Sequence, residues 1–388
     1  MSAVNALIFD EVMRNVSEVA DVFAADGAAR LERQSLDRAD FDRLADAGLI
    51  RTGLPGNRGG LWQGSRANVR DYVALYRRLA GADPSVALVS TMHPLVLAFW
   101  LQPDCDGTFA SSAWRAQCDR YYSLVESGCW FGTIASEPGS AGDLMATRAS
   151  ARLSSSGGYL MSGLKHMGSG SGVTSFMLTV AKPDGEEIPD VFVMDTRDQK
   201  WDGSTGTQLL GEWDGIGMAA TQSHAFRFEE VAVERYAEPG CAIAQAPFVL
   251  PFGQTIFAAV TVGILDMAMR LVDERLGPKS AELRPLEQIE WTKAANGYWT
   301  VKAALEQMIV SIEQDDDALL NSCRGKWVIA ETAEAVMASL AKAVGGRAFS
   351  RSLPLAQWGQ DVRALGFLRP PWALAQDQLF ELGLPAAV

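Results

Sequence analysis

Two loops gather the side chains most able to do chemistry. The first closes a short apolar run, Phe131-Gly-Thr-Ile-Ala, and reads Ser136-Glu-Pro-Gly-Ser-Ala-Gly-Asp143. The second closes Tyr159-Leu-Met-Ser-Gly-Leu and reads Lys165-His-Met-Gly-Ser-Gly170. Each apolar run predicts a strand. Turn residues at two strand ends leave backbone N–H and C=O groups free, and such loops often carry sites. The three histidines, His93, His166 and His224, have no His-x-x-x-His or His-Glu-x-x-His spacing, so nothing marks a metal centre. The five cysteines, Cys105, Cys118, Cys129, Cys241 and Cys323, form no Cys-x-x-Cys pair and read as free thiols of a reducing cytosol.

The elements that must position these loops are mostly helical. The 388 residues suffice for two or three domains. A net charge of −13 argues against nucleic acid or an anionic membrane as partner, since no basic surplus neutralises phosphates. It leaves room for an anionic small ligand held by local arginines. The N-terminal stretch lacks a basic leader pattern, and no segment reads as the roughly 20 apolar residues of a membrane span, so a cytoplasmic location is expected.

Residues 1–125 predict a helical region. Leu7, Val12, Val16, Val19, Val22 and Phe23 recur near the helical period. A second helix is expected after Asp37, a break at Gly53-Leu-Pro-Gly-Asn-Arg-Gly-Gly60, and a third over 66–79. After Asp83-Pro84 an apolar helix should run to about Trp100, carrying His93 and kinked at Pro94. Residues 126–240 predict an antiparallel β-domain, with strands at 129–135, 147–153, 159–164, 175–181, 190–194 and 224–233. Residues 241–388 predict an antiparallel bundle of helices opening at Pro251, then over 286–313 and 318–344, the last ended by Gly345-Gly346.

Several ordered motifs carry a family resemblance. Ser136-Glu-Pro-Gly-Ser-Ala-Gly-Asp143 resembles the T-E-P-G-x-G-S-D signature of the acyl-CoA dehydrogenase superfamily, and Ser162-Gly-Leu-Lys165 its N-G-x-K. Trp213-Asp-Gly-Ile-Gly-Met218, Thr221-Gln-Ser-His224 and Phe228-Glu-Glu-Val231 resemble its W-x-x-x-G-M … F-x-x-V segment. Leu54-Pro, Gly59-Gly60, Gly345-Gly346 and Asp361-Val-Arg363 fall in family order. The resemblance spans nearly the whole chain. It implies an α+β, mostly α fold: an N-terminal helical domain (1–125), a middle antiparallel β-domain contacting flavin (126–240) and a C-terminal four-helix bundle serving flavin and oligomerisation (241–388). It also implies FAD, with FMN as the alternative, and a homotetramer or homodimer.

Carried over position by position, the resemblance puts Ser136 against the flavin ring, with Thr133 and Ala135 beside it on the same strand. Gly142 replaces a family Ser, and Met167 replaces an aromatic that covers the ring. Ser169 approaches flavin N5. Gly345 and Gly346 match the pair that lets backbone approach the adenosine half. A flavin presents donors and acceptors on one edge and apolar faces, which strand-end amides, hydroxyls and small residues suit.

The departures concern the base. Family dehydrogenases need a carboxylate within reach of the substrate proton. Counted from Asp361, one base position holds Arg369; counted back from Gly263, the other holds Gly253, next to Gln254. Asp377 and Glu381, the nearest downstream carboxylates, read as part of a terminal helix. Asp361-Val-Arg-Ala … Arg369-Pro-Pro371, the Lys165–Ser171 loop and Thr91-Met-His93-Pro instead resemble the dibenzothiophene monooxygenase-like branch and the two-component flavin hydroxylases. His93, His224 and Arg369 are the catalytic candidates, and His166 reads as structural. The leading expectation is a reduced-flavin and O₂ monooxygenase with a separate flavin reductase or electron-transfer partner. The alternatives are an acyl-CoA dehydrogenase or oxidase with an atypical base, and a catalytically silent flavoprotein or scaffold subunit.

Overall fold

The computed structural model describes residues 3–155 and 157–384. The side chains of residues 3–5, 7, 104 and 105 are not among those described, so the expected contributions of Leu7 and Cys105, and Ser156 of the turn after Leu153, lie outside the described residues. Helices come first: α1 (Ala3–Ala25), α2 (Gly27–Glu32), α3 (Arg38–Asp46), α4 (Ser65–Ala80), α5 (Pro84–Asp106) and α6 (Ser112–Glu126). Strands follow: β1 (Phe131–Thr133), β2 (Ser150–Leu153), β3 (Tyr159–Gly168), β4 (Phe176–Pro183), β5 (Asp190–Asp195), β6 (Thr207–Gly211) and β7 (His224–Arg235). Helices close the chain: α7 (Cys241–Leu276), α8 (Pro285–Gln314), α9 (Ala318–Val344), α10 (Leu355–Asp361), α11 (Ala364–Phe367) and α12 (Trp372–Gly383).

Local chemistry explains several boundaries. The Asp37 carboxylate accepts from Ala39 N and starts α3, and Ser111 Oγ accepts from Trp114 N and starts α6. Helix α7 begins ten residues before the expected Pro251, running through Pro247 and Pro251. Helix α5 likewise continues through Pro94. Each proline forfeits one backbone bond, and the burial of Val249, Phe252, Ile256 and Leu97 outweighs that loss.

The strands close on themselves. β4 pairs with β2, β2 with β3, β3 with β7, β7 with β5, and β5 returns to β4. Closure leaves the ring with no open edge. One edge of β4 is shared end to end, β1 pairing with residues 176–178 and β2 with residues 182–183. Both of these pairings are parallel, so the sheet is mixed where the sequence predicted an antiparallel one. Strand β6, unforeseen, adds to β7. The interior is filled by Ile134, Ala151, Met161, Met177, Phe192, Phe226 and Phe228.

The helical core is formed by α4, α5, α7, α8 and α9 around Tyr72, Trp100, Phe252, Ile264 and Leu340. The long C-terminal helices α7, α8 and α9 pack together, and the short α12 lies along α9. Contrary to the sequence expectation, α5 and α7 carry windows apolar and long enough to cross a membrane; 89% of each window is buried inside the protein. They are the core helices that carry one wall of the cavity described below.

A buried ion network ties α2, α3 and α5 together. Arg30 and Arg33 each contact both Asp40 and Asp83, at 2.6–2.9 Å. Burial opposes the charged Asp40 carboxylate, yet bonds from Arg30 and Arg33 outweigh it and hold its pKa below the ordinary 3.8. A depressed carboxyl stabilises the fold above its unfolded value and loses that contribution as pH falls through the folded one. Asp40→Asn should therefore cost about 3 kcal/mol at pH 7, measured by urea unfolding. Its stability should also vary less with pH below about 4 than the wild type's.

Candidate active site

A cavity of about 1050 Å³ opens where the ends of β1 and β3 face α5, α7 and the 360–373 segment. One wall is polar, formed by Thr133, Ser136, Gly142, Met167 and Ser169. A second wall is apolar: Leu88, Met92 and Leu95 from α5, Leu250 and Phe257 from α7. Trp213, Met218, Arg363, Phe367, Arg369 and Trp372 close the remaining side.

The polar wall is held from behind by Glu137. Its carboxylate accepts from Lys165 Nζ at 2.6 Å, from Arg148 N at 2.7 Å and Ala149 N at 3.1 Å, and from Thr147 Oγ1. Burial alone would raise its pKa, but these bonds win and lower it. Glu137 is the sole carboxylate lining the cavity among the described residues. It is a fully partnered anion, so it cannot act as a base for a substrate proton.

Two backbone features shape the rim. The ladder between β3 and β7 slips between Lys165 and Gly168, and Met167 there has φ 57°. This bulge re-aims the strand end and turns Met167 into the cavity. Gly142 has φ 86°, and a Cβ there would sit 2.6 Å from Pro371 Cγ. The Ser expected from the family pattern cannot fit, and the Gly142 carbonyl instead accepts from Arg369.

Ser169 ends a ladder of hydroxyls. Thr221 Oγ1 gives its proton to Met218 O at 2.9 Å. Ser223 Oγ, 2.8 Å from Thr221 Oγ1, must then donate to it, and Ser169 Oγ donates to Ser223 at 2.8 Å. Each hydroxyl has one proton, so Ser169 presents lone pairs to the cavity. The ladder is anchored by Asp361, whose Oδ1 accepts from Met218 N at 2.7 Å. Burial pushes the Asp361 carboxyl up to about 6. Gly217 lets this turn meet α10, since a Cβ there would lie 2.5 Å from Gln360 O.

Arg369 lines the cavity and donates to Gly142 O and, at 2.9 Å, to Ser136 Oγ. Among the described residues it makes no ion pair, and burial pulls its pKa down to about 10 despite the field of Asp143. A partly buried cation held only by neutral acceptors is a site for an anion or an electron-rich oxygen.

The two histidines named as catalytic do not face the cavity. His93 is fully buried: Nδ1 accepts from Phe131 N at 3.1 Å and Nε2 donates to Ile50 O at 3.0 Å. Desolvation drives its pKa down to about 3. It is a neutral core residue that ties α5 to β1. His224 accepts at Nδ1 from Trp213 N at 2.9 Å and packs against Trp201 and Phe226, so it orients the Trp213 turn from behind. Burial lowers its pKa. His166, read as structural, does line the cavity. Ala135 is buried behind the wall, and Gly345–Gly346 form the turn ending α9; none of the three lines the cavity. Ser223, Trp213 and Gln254 line it without having been named as site residues. An apolar strand-end pattern could have flagged Ser223, and the count back from Gly263 passed beside Gln254 without assigning it a role.

No protein-family model matches the chain. It is 28% identical over 356 residues to an L-evernosamine nitrososynthase from Micromonospora sp., covering 85% of this chain and 79% of that protein. It is 25% identical over 297 residues to a dibenzothiophene monooxygenase from Mycolicibacterium goodii, covering 72% of this chain and 63% of that protein. FMN-bound TdsC from Paenibacillus sp. A11-2 superposes with a TM-score of 0.79 at 19% identity, covering 96% of this chain and 97% of that one. Butyryl-CoA dehydrogenase from Megasphaera elsdenii superposes with 0.80 at 16%, covering 97% and 98%. The chain has the acyl-CoA dehydrogenase fold, and in sequence it is similar to a nitrososynthase and a dibenzothiophene monooxygenase.

On the acyl-CoA dehydrogenase fold, both base positions counted from the motifs, Arg369 and Gly253, prove to line the cavity. Asp377 and Glu381 lie on α12 and do not. His93 generates a prediction. His93→Phe leaves Phe131 N and Ile50 O unpaired and should cost about 2–4 kcal/mol at pH 7 by urea unfolding. A ring held neutral when folded makes stability fall as pH drops below the ordinary 6.5. The variant should lose that slope between about pH 6.5 and 4.

Proposed function

We propose that this chain is a monooxygenase that uses reduced flavin and O₂ on a small, largely apolar substrate. The observation that carries the reading is the charge of the cavity wall: its one carboxylate is fully partnered, and Arg369 stands where a dehydrogenase would need its base. The residues fit a flavin. The Thr133, Ser136 and Ser169 hydroxyls and Arg369 offer a polar edge, Met167, Trp213 and Phe257 offer apolar faces, and about 1050 Å³ leaves room for substrate beside it. FMN is the flavin to test first, because TdsC binds it on the same fold.

When bound, reduced flavin would supply two electrons, so that one oxygen of O₂ enters the substrate and the other leaves as water. The protein's part is binding, orientation and shielding. Ser169 Oγ, oriented as an acceptor, suits the N–H that a reduced flavin carries at N5 and an oxidised one lacks. Arg369 donates to electron-rich oxygen as charge builds, in a pocket whose apolar wall strengthens that interaction. Leu88, Met92, Leu95 and Phe257 keep water from the reacting atoms. A separate flavin reductase would deliver the reduced cofactor. Cys129, Cys241 and Cys323, none of them in a disulfide, suit the reducing cytoplasm.

The test is anaerobic titration with FMN and FMNH₂, then O₂ and candidate substrates. The reduced form should bind at least tenfold tighter, and Arg369→Met should weaken it by about 10–100-fold. Bleaching of bound flavin by an acyl-CoA, with no reductant present, would establish the dehydrogenase reading instead.

A homotetramer or homodimer is supported by exposed apolar groups on the bundle, among them Leu286, Ile289 and Trp299 on α8 and Phe349 beyond α9, 88% exposed. Surfaces of this kind mark protein contacts. Light scattering should give a mass at least twice 41.8 kDa; a monomer at micromolar concentration would refute this.

A further inference from the structure

The apolar wall contains one polar side chain without a strong hydrogen-bond partner. Gln254 of α7 lines the cavity and is 1% exposed. Its Oε1 has no hydrogen-bond partner, and its Nε2 meets only the sulfur of Cys323, a weak acceptor whose own proton goes to Gln378 Oε1 at 3.5 Å. Around it the wall is Leu95, Leu250 and Phe257. Burying a primary amide without partners costs stability. Nothing in the fold requires a carboxamide here, since Leu or Met would fill the same space on the helix.

We propose that Gln254 recognises a polar substituent of the substrate, one that both donates and accepts a hydrogen bond, on an otherwise apolar body. The inference rests on the cavity being the monooxygenase site. The carboxamide offers N–H donors and a carbonyl acceptor side by side. A hydroxyl, a primary or secondary amine or a carboxamide satisfies both. A thioether or plain hydrocarbon satisfies at most one and leaves the buried amide unpaired. A site built around such a group rejects analogues that lack it far more strongly than an apolar pocket rejects an extra methyl. Gln254 lines the cavity from α7 while Ser136 and Ser169 line it from the strand ends, so the bond would hold one end of the substrate at α7 and leave the rest within the cavity. The substrate class assigned is therefore a compact apolar molecule bearing a hydroxyl, amino or amide group, and not a simple sulfide.

Two near-isosteric probes test this, 2-naphthol and 2-methylnaphthalene, with affinities measured by calorimetry on FMN-loaded wild-type protein and on Gln254→Met. The ratio of the two affinities should shift by at least tenfold towards 2-methylnaphthalene in the variant. The melting temperature of the flavin-free variant should rise by about 2 °C, because an unpaired buried amide has been removed. An unchanged ratio, no binding of either probe to the wild type, or a fall in melting temperature showing a structural role would each overturn the assignment. Flavin titration of the wild type comes first: if it holds no flavin the monooxygenase reading falls and this one with it. Flavin retained with an unchanged ratio sinks the Gln254 assignment alone.

Discussion

The contact between Glu137 and Lys165 joins the two loops on which the cavity depends. Lys165 Nζ also donates to Val180 O at 2.6 Å, so one ammonium links the first loop, β3 and β4. Both charges are almost completely enclosed. A buried pair of this kind adds little net stability, but removing either partner leaves a charge that the interior cannot solvate. Its contribution is geometrical. It sets the ends of β1 and β3 side by side, so that Ser136 and Ser169 share one wall.

Around that wall the cavity is asymmetric. Hydroxyls and a cation face aliphatic helices, and the electrostatics decide what reaction is open. A dehydrogenase needs an unsatisfied carboxylate at the substrate; the carboxylate here is locked by four donors, and the cation has no anion. An environment with a donor-rich pole and a dry apolar pole favours chemistry on electron-rich oxygen over abstraction of a carbon-bound proton. The closed ring of strands supports this wall as a rigid unit, while α5 and α7, apolar along their length, form the other side.

Much of this architecture was legible locally. Strand-end loops announced themselves through Pro138, Gly139 and Gly168, and helix α9 coincided with the predicted 318–344 because its apolar period and its Gly345 stop agree. Other features were not. Strand β6 exposes alternate residues at the outside of β7 and has little apolar signal. The start of α7 was hidden by Pro247 and Pro251, which local rules read as breaks. Parallel pairing of β1 and β2 with β4 leaves no mark in either strand's own composition.

The sequence by itself determined the order of elements, the two site loops and the vacancy at both base positions, because each depends on residue type and spacing along the chain. Only the tertiary structure decided which side chains meet the cavity. His93 and His224 carry the right chemistry, but both ring nitrogens of His93 and Nδ1 of His224 are turned to backbone groups of Phe131, Ile50 and Trp213. Arg369 was reached by counting from Asp361, whereas Ser223 and Gln254 face the cavity because helix rotation and long-range packing aim them there, which no local pattern encodes.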